Sequence, residues 1–282
     1  FIKACSRLGA PSFSVVEDDV GIYYDASCPS RLENLLNFYD FNSDIDLLEK
    51  ADAAISFIKD NNISKYNSLG KIDYNVISKK KDRVLIISQT KGDLSLKYGL
   101  SNKFSTNSII ETAIKENPNS DIYLKIHPNA IHKEKGSDID INFVKNKCKI
   151  IDQDINPIIL LKNFSKVYTK TSQMGFEALL VGCKCVCFGT PFYSGWGLTD
   201  DRVKNQRRKR KLTLREVFAA SYILYPKYYN PYKKRESEIF DTLKSIVRFR
   251  KIERISNKKV YLLGFSLWKR NYLLSFLKEF KK

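Results

Sequence analysis

Short runs of four or five apolar residues alternate along this chain with longer stretches in which apolar positions recur every three or four residues. The first pattern suits buried strands, and the second suits helices that lay one face on a sheet. Val84–Ile87 (VLII) predicts a strand, Ser108–Asn117 a helix and Ile122–Ile126 (IYLKI) the next strand. Ile158–Asn163 follows as a helix, Lys166–Tyr168 as a short strand, Gly175–Val181 as a helix and Cys185–Phe188 as a strand. This βαβα order predicts an α/β fold, a doubly wound lobe whose parallel sheet carries helices on both faces.

The flanks are less regular. Upstream, Phe13–Val16 and Gly21–Tyr24 predict strands around the acidic turn Glu17-Asp18-Asp19, and Arg31–Asn37 and Ile45–Asn61 have helical spacing. Two strands are too few to close a lobe, so these pieces are expected to be the remainder of an N-terminal lobe. The charged stretch Lys71–Arg83 is the expected connector. Downstream, Leu214–Tyr225 and Glu236–Arg250 predict helices around an irregular Tyr- and Pro-rich stretch, Tyr225–Tyr232. Lys259–Gly264 predicts a strand and Leu267–Lys282 an amphipathic helix, the opening of another module. The expected division is therefore 1–78, 79–245 and 246–282. The first residues, Phe1-Ile2-Lys3, include neither an initiator Met nor a signal pattern, so the chain is expected to be a piece of a longer polypeptide, cut at both ends.

Composition narrows the classes. With 282 residues and 43% hydrophobic content the chain can fill real cores, and no apolar run approaches the length of a membrane span. A net charge of +18 favours anionic partners such as nucleotides, lipid headgroups or acidic glycans, although a Lys- and Asn-rich composition also follows from genome base composition. Arg202–Arg215 holds eight of the basic residues and no acidic one. Arg207, Arg208 and Arg210 in this run are candidates for an anionic lipid acceptor or the inner membrane face, against a merely solvated loop. No groove-reading or stacking motif accompanies the charge, so nucleic acid is not an expected partner. Of six Cys, Cys183, Cys185 and Cys187 alternate in CKCVCF, which reads as core packing on one face of a strand rather than a metal site. A cytoplasmic, thiol-reduced setting is expected.

Chemistry gathers at predicted strand ends, where open α/β sheets bind ligands. His127-Pro128 ends one strand, and the imidazole either faces the crevice or caps a loop. Thr171-Ser172-Gln173 precedes a helix, where hydroxyls and free N–H groups suit a phosphate as well as simple capping. Glu177 on that helix could accept from a ribose or stay solvated. Asp93, after Ser88-Gln89-Thr90-Lys91-Gly92, could approach an anomeric carbon or simply form a turn. Gly195–Arg202 (GWGLTDDR) reads as a tight polar network of underivable role. Convergence raises the odds, because three strand ends present Asp93, His127 and Ser172 in one direction.

SQTKGDLSLKYG, KIHPNA, TSQMGFEALLVG, FGTPFYSGWGLTDDR and AASYILYPKYYNP together resemble the capsule-polysaccharide biosynthesis family of KpsC/LipB type. VVEDDVGIYYDASCPSRLE resembles the family's segment after its first strands, and the tail GFSLWKR the start of its second transferase module. The resemblance covers most of residues 1–245. It implies a GT-B-like glycosyltransferase with an incomplete N-terminal lobe and a doubly wound nucleotide-binding lobe. The implied activity is that of a retaining β-Kdo transferase moving Kdo from CMP-Kdo to a lipid-linked glycan acceptor in capsule assembly. Asp93 matches the family's catalytic Asp. His127 and Ser172 match its phosphate contacts, and Gln173 and Glu177 match neighbouring donor-lobe positions. Lys125 and Lys170 flank those motifs and are candidates for the phosphate or the Kdo carboxylate, if they do not point to the opposite face. Ser88 stands where members often carry Asp. No cofactor or metal is expected if His127, Ser172 and a helix N-terminus neutralise the leaving CMP. The alternative is a noncatalytic scaffold in a capsule export complex at the inner membrane.

Overall fold

The computed structural model describes residues 12–65, 67, 77, 82–90, 92–126, 139, 141–231 and 233–260. Its centre is a six-stranded parallel sheet formed by β2 (Arg83–Ile87), β3 (Asp121–Lys125), β4 (Lys149–Ile151), β5 (Lys166–Thr169), β6 (Lys184–Cys187) and β7 (Asp200–Asp201). β1 (Ser14–Val16) lies outside it. The strand order is β4-β3-β2-β5-β6-β7, so the chain builds outward from β2 on one side and then returns to build outward from β5 on the other. Val84 pairs with Ile122 and Lys166, and Ile87 with Lys125 and Thr169, which places the ends of β2 and β5 side by side.

The predicted strands are buried on both faces, as runs such as VLII require. On one face Val84, Ile86, Leu124 and Tyr168 pack against Ile109, Ile110 and Ala113 of a helix, Thr106–Glu116. On the other, Leu85, Tyr123 and Val167 meet Leu160 and Leu161 of the helix Pro157–Leu161. Side-chain caps set the helix starts. Ser105 accepts from the Ser108 N–H at 3.0 Å, and Asn156 accepts from the Ile159 N–H at 3.2 Å with Pro157 in the first turn. In chain order the helices are α1 (Arg31–Phe38), α2 (Ile45–Asp60), α3 (Leu94–Tyr98), α4 (Thr106–Glu116), α5 (Ile141–Lys145), α6 (Pro157–Leu161), α7 (Met174–Leu180), α8 (Leu214–Phe218) and α9 (Ile239–Val260). One turn of π-helix, Ala219–Leu224, continues α8.

The flanks depart from expectation in three places. Gly21–Tyr24 is a loop, because Asp18 Oδ1 accepts the Val20 and Gly21 N–H groups that a strand would have used. Tyr225–Tyr232, expected to be irregular, contains β8 (Pro226–Asn230), which pairs antiparallel with β1 and with β9 (Arg235–Ser237). Pro226 opens the strand, where its missing N–H costs little. α9 runs through Val260, so Lys259 and Val260 are helical rather than the start of a strand.

The upstream segment shares its core with the downstream one. Phe13, Leu32, Leu36, Phe41 and Ala51 pack in one cluster with Phe176, Trp196, Val217, Phe218, Tyr222 and Leu243. Among the described residues no helix is long and apolar enough to cross a membrane.

Candidate functional site

The strand order reverses between β2 and β5, and in open α/β sheets ligands bind beyond the strand ends at such a switch point. Here the loops leaving the two strand ends are stitched together. Gln89, two residues past β2, accepts the Thr171 N–H at 2.8 Å through Oε1. That backbone donor fixes the amide's orientation, so Nε2 donates to Thr171 Oγ1 at 3.0 Å and to Ser95 Oγ at 3.3 Å. Ser95 and Thr171 hydroxyls are 3.2 Å apart. Two glycines make room for this junction. A Cβ on Gly99 would fall 2.4 Å from Thr171 Cγ2, and one on Gly189 would fall 2.7 Å from the same atom.

The junction brings two of the expected site residues into one place. Asp93 caps α3, accepting the Ser95 N–H at 2.9 Å, and is otherwise exposed. Ser172 follows Thr171 directly and is half-buried, its Oγ accepting the Met174 N–H at 3.3 Å. Gln173 is engaged elsewhere, donating from Nε2 to Tyr222 Oη at 2.9 Å. His127 lies outside the described residues, as do Lys91 and, apart from residues 77, 82 and 83, the Lys71–Arg83 connector.

Other expected residues are placed elsewhere. Glu177 is 3% exposed, and its Oε1 accepts the Lys65 N–H at 2.9 Å. Burial raises its carboxyl above the usual range, with the Lys65 N–H and Ser64 acting against that rise. It anchors residues 64–65 beside α7 and is not open to a ribose. Lys125 is buried, donating to the Gln153 carbonyl at 2.8 Å and its neighbour Ile126 O at 3.1 Å. Burial pulls its ammonium below the usual lysine range, while Asp154 and Asp152 pull back. Those two carboxylates form an Asp-x-Asp pair, and a charge they face is this lysine's. Lys170 is buried next to the Thr171 turn.

The three arginines expected at a lipid surface are turned inward, which corrects that assignment. Arg207 Nε meets Glu33 Oε1 at 2.6 Å, and Arg208 Nε meets Glu33 Oε2 at 3.1 Å. Arg208 Nη1 also donates to the carbonyls of Pro191 and Ser194 at 2.5 and 2.8 Å, over the buried Trp196 ring. Arg210 donates to the Asn37 and Tyr39 carbonyls at the end of α1, at 3.2 and 2.8 Å. A basic run reads as a solvated face, yet these guanidiniums meet backbone carbonyls and a buried carboxylate inside the fold. Lys204, Lys209 and Lys211 are the exposed lysines of the run.

Gln89, Gly99, Gly189 and Tyr193 were not singled out beforehand. Position alone pointed to Gln89, which lies in the strand-end stretch opposite Thr171. Cys185 and Cys187 do share a buried face with sulfurs 3.9 Å apart, whereas Cys183 precedes β6 and donates to the Phe164 carbonyl at 3.1 Å.

The fold is that of a doubly wound α/β protein of GT-B-like type, whose strand order switches between β2 and β5. The model of the capsule polysaccharide biosynthesis protein family matches residues 6–228, and the chain belongs to that family. It is 39% identical over 272 residues to the capsule polysaccharide modification protein LipA of Neisseria meningitidis serogroup B, covering 93% of this chain and 38% of LipA. It is 38% identical over 216 residues to the lipopolysaccharide-processing protein LpsZ of Rhizobium meliloti, covering 76% of this chain and 49% of LpsZ. The chain thus spans less than half the length of these relatives. Among solved structures it resembles the beta Kdo 2,4 transferase of Thermosulfurimonas dismutans KpsC, with a TM-score of 0.80 and 40% identity over 88% of this chain and 77% of that one. The beta Kdo 2,7 transferase of the same protein matches with a TM-score of 0.67 and 28% identity, over 85% and 73% of the two chains.

Proposed function

We propose that this chain is the core of a retaining β-Kdo glycosyltransferase that takes CMP-Kdo as donor and a lipid-linked glycan as acceptor in capsule assembly. The observation that carries this reading is the Ser95–Thr171 contact, which sets the exposed Asp93 and the Ser172 turn on adjoining strand ends. Its support is the likeness to two Kdo transferase structures.

In this reading the Asp93 carboxylate attacks the anomeric carbon of Kdo as its bond to the phosphate oxygen breaks, releasing CMP. An acceptor hydroxyl then attacks the same carbon, the bond to Asp93 breaks, and the hydroxyl proton is lost to a base or water. Two inversions give net retention. Ser172 and His127 receive the donor phosphate. No cofactor takes part, and a cytoplasmic site with peripheral contact at the inner membrane belongs to the same proposal. Contact with an anionic membrane surface then falls to Lys204, Lys209 and Lys211, since Arg207, Arg208 and Arg210 are committed inside the fold.

The test supplies CMP-Kdo and a lipid-linked glycan to the chain. Transfer is expected to disappear in Asp93→Ala, and intact mass should show a Kdo adduct on the wild-type protein that the variant lacks. Transfer that survives Asp93→Ala rules out the nucleophile, and an absence of CMP release from the wild-type chain favours a scaffold.

A further inference from the structure

The run FGTPFYSGWGLTDDR and the inward arginines are the two sequence features that the reaction above leaves unused. They converge on one atom. Tyr193, wholly buried in that run, donates its hydroxyl to the carbonyl oxygen of Ser172 at 2.5 Å. The approach requires Gly175 in TSQMGFEALL, because a Cβ there would stand 2.1 Å from the Tyr193 hydroxyl. Burial raises the phenol's pKa well above its usual value, so it stays protonated and remains a donor.

The loop that carries Tyr193 is fixed on both sides of the ring. Arg208 Nη1 holds the Pro191 carbonyl two residues before it, and both the carbonyl and, at 3.2 Å, the hydroxyl of Ser194 one residue after it. Further on, Asp201 Oδ2 accepts the Gly195 N–H at 2.8 Å, and Trp196 Nε1 donates to Phe192 O at 2.8 Å. Arg208 is itself aimed by Glu33 of α1, and Gly195 admits the arginine's stem, since a Cβ there would fall 2.9 Å from Arg208 Cδ. A continuous chain of contacts therefore runs from Glu33 through Arg208 and the Pro191–Ser194 carbonyls to Tyr193 and on to Ser172.

We propose that Tyr193 is a positioning residue for the donor phosphate, fixing the Ser172 turn in its receiving geometry, and that the Glu33–Arg208 pair holds Tyr193 in place. The inference rests on the reading that Ser172 meets the phosphate of a cytidine nucleotide. Ser172 supplies its own hydroxyl, and Tyr193 acts only through the carbonyl of that residue. Removing one buried hydrogen bond that orders a phosphate-binding turn weakens phosphate binding by roughly tenfold. It leaves contacts to the base and sugar alone.

The test compares CMP with cytidine on the full chain by calorimetry, using wild type, Tyr193→Phe, Arg208→Lys and Ser172→Ala. Tyr193→Phe keeps the ring in its apolar packing and is expected to weaken CMP about tenfold while changing cytidine less than twofold. Arg208→Lys, which cannot bridge Glu33 and both carbonyls, should shift CMP in the same sense. Equal loss of CMP and cytidine in Tyr193→Phe, or no loss of either, overturns the positioning role while leaving the donor reading intact. CMP binding that is equal in wild type and Ser172→Ala, or absent from wild type, overturns the phosphate role of Ser172 and the Tyr193 proposal with it.

Discussion

Replacing Glu33 by Leu asks how much stability is invested in the buried charges that join α1 to the Arg207–Arg208 turn. In wild type the Glu33 carboxylate takes Arg207 Nε at 2.6 Å and Arg208 Nε at 3.1 Å, with side-chain exposures of 6% for Glu33 and 4% for Arg208. Removing the carboxylate leaves the buried Arg208 charge with only the weaker influence of Asp201, and breaking a buried pair this way costs roughly 3–5 kcal/mol. Arg207 is 35% exposed and keeps the Ala26 and Cys28 carbonyls, so it adds little. Arg208→Met removes the cation instead and takes the Arg208 donor from the Ser194 carbonyl, while the Pro191 carbonyl keeps the Ser194 N–H and hydroxyl at 3.1 and 3.0 Å, for a loss of about 2 kcal/mol. The double variant has no stranded charge and retains only the carbonyl deficit. Its loss should be close to that of Arg208→Met alone, a coupling of at least about 2 kcal/mol between the positions. Urea unfolding monitored by tryptophan fluorescence gives the four free energies by linear extrapolation. Single-variant losses below about 1 kcal/mol, or losses that simply add, would refute the account of these charges as one desolvated unit.

Three further outcomes follow from the geometry. Gly189→Ala puts a Cβ 2.7, 2.8 and 2.9 Å from Thr171 Cγ2, Gly99 O and Ser101 Cβ. It should cost about 1–3 kcal/mol of stability and lower CMP affinity, and unchanged thermal unfolding would show that the junction yields freely. Glu177 has its pKa raised from 4.5, so its ionised form is disfavoured in the folded state and its contribution to stability falls as pH rises above 4.5. Glu177→Gln should therefore gain on wild type as unfolding is followed upward from pH 4.5, and parallel curves would contradict the burial of that charge. Replacing Lys204, Lys209 and Lys211 by Ala should reduce binding to vesicles containing anionic lipid severalfold in a sedimentation assay, and binding equal to wild type would place the membrane contact elsewhere.

The four inner strands of the sheet were legible because they are buried on both faces, as VLII, IYLKI and KCVCF show, whereas the short edge strands β4 and β7, KII and DD, hold too few apolar residues to announce themselves. The strand ends followed from the strands, which is why Asp93 and Ser172 could be named as neighbours. Long-range polar pairing was not legible. Arg208 lies 175 residues from Glu33, and no local pattern distinguishes it from Lys209, which is exposed. Glu177 looked like a helix-surface carboxylate until the backbone of Lys65 closed over it. β8 did carry a signal, since Pro226, Tyr228 and Asn230 are buried while Lys227 and Tyr229 are exposed. Its mixture of Pro, Lys, Tyr and Asn hides the alternation that Val and Ile would have announced.

The pairing of β1 with β8 also sets an order of events during synthesis. Lys227 and Glu17, 210 residues apart, form an ion pair beside that ladder, and the apolar faces of α1 and α2 pack in a cluster drawn largely from residues 176 to 247. The parallel sheet needs only residues 83 to 201 and can assemble while the ribosome is still elongating. α1 and α2 must wait with their apolar faces uncovered until the downstream helices emerge, an interval in which a chaperone or an aggregate competes for them.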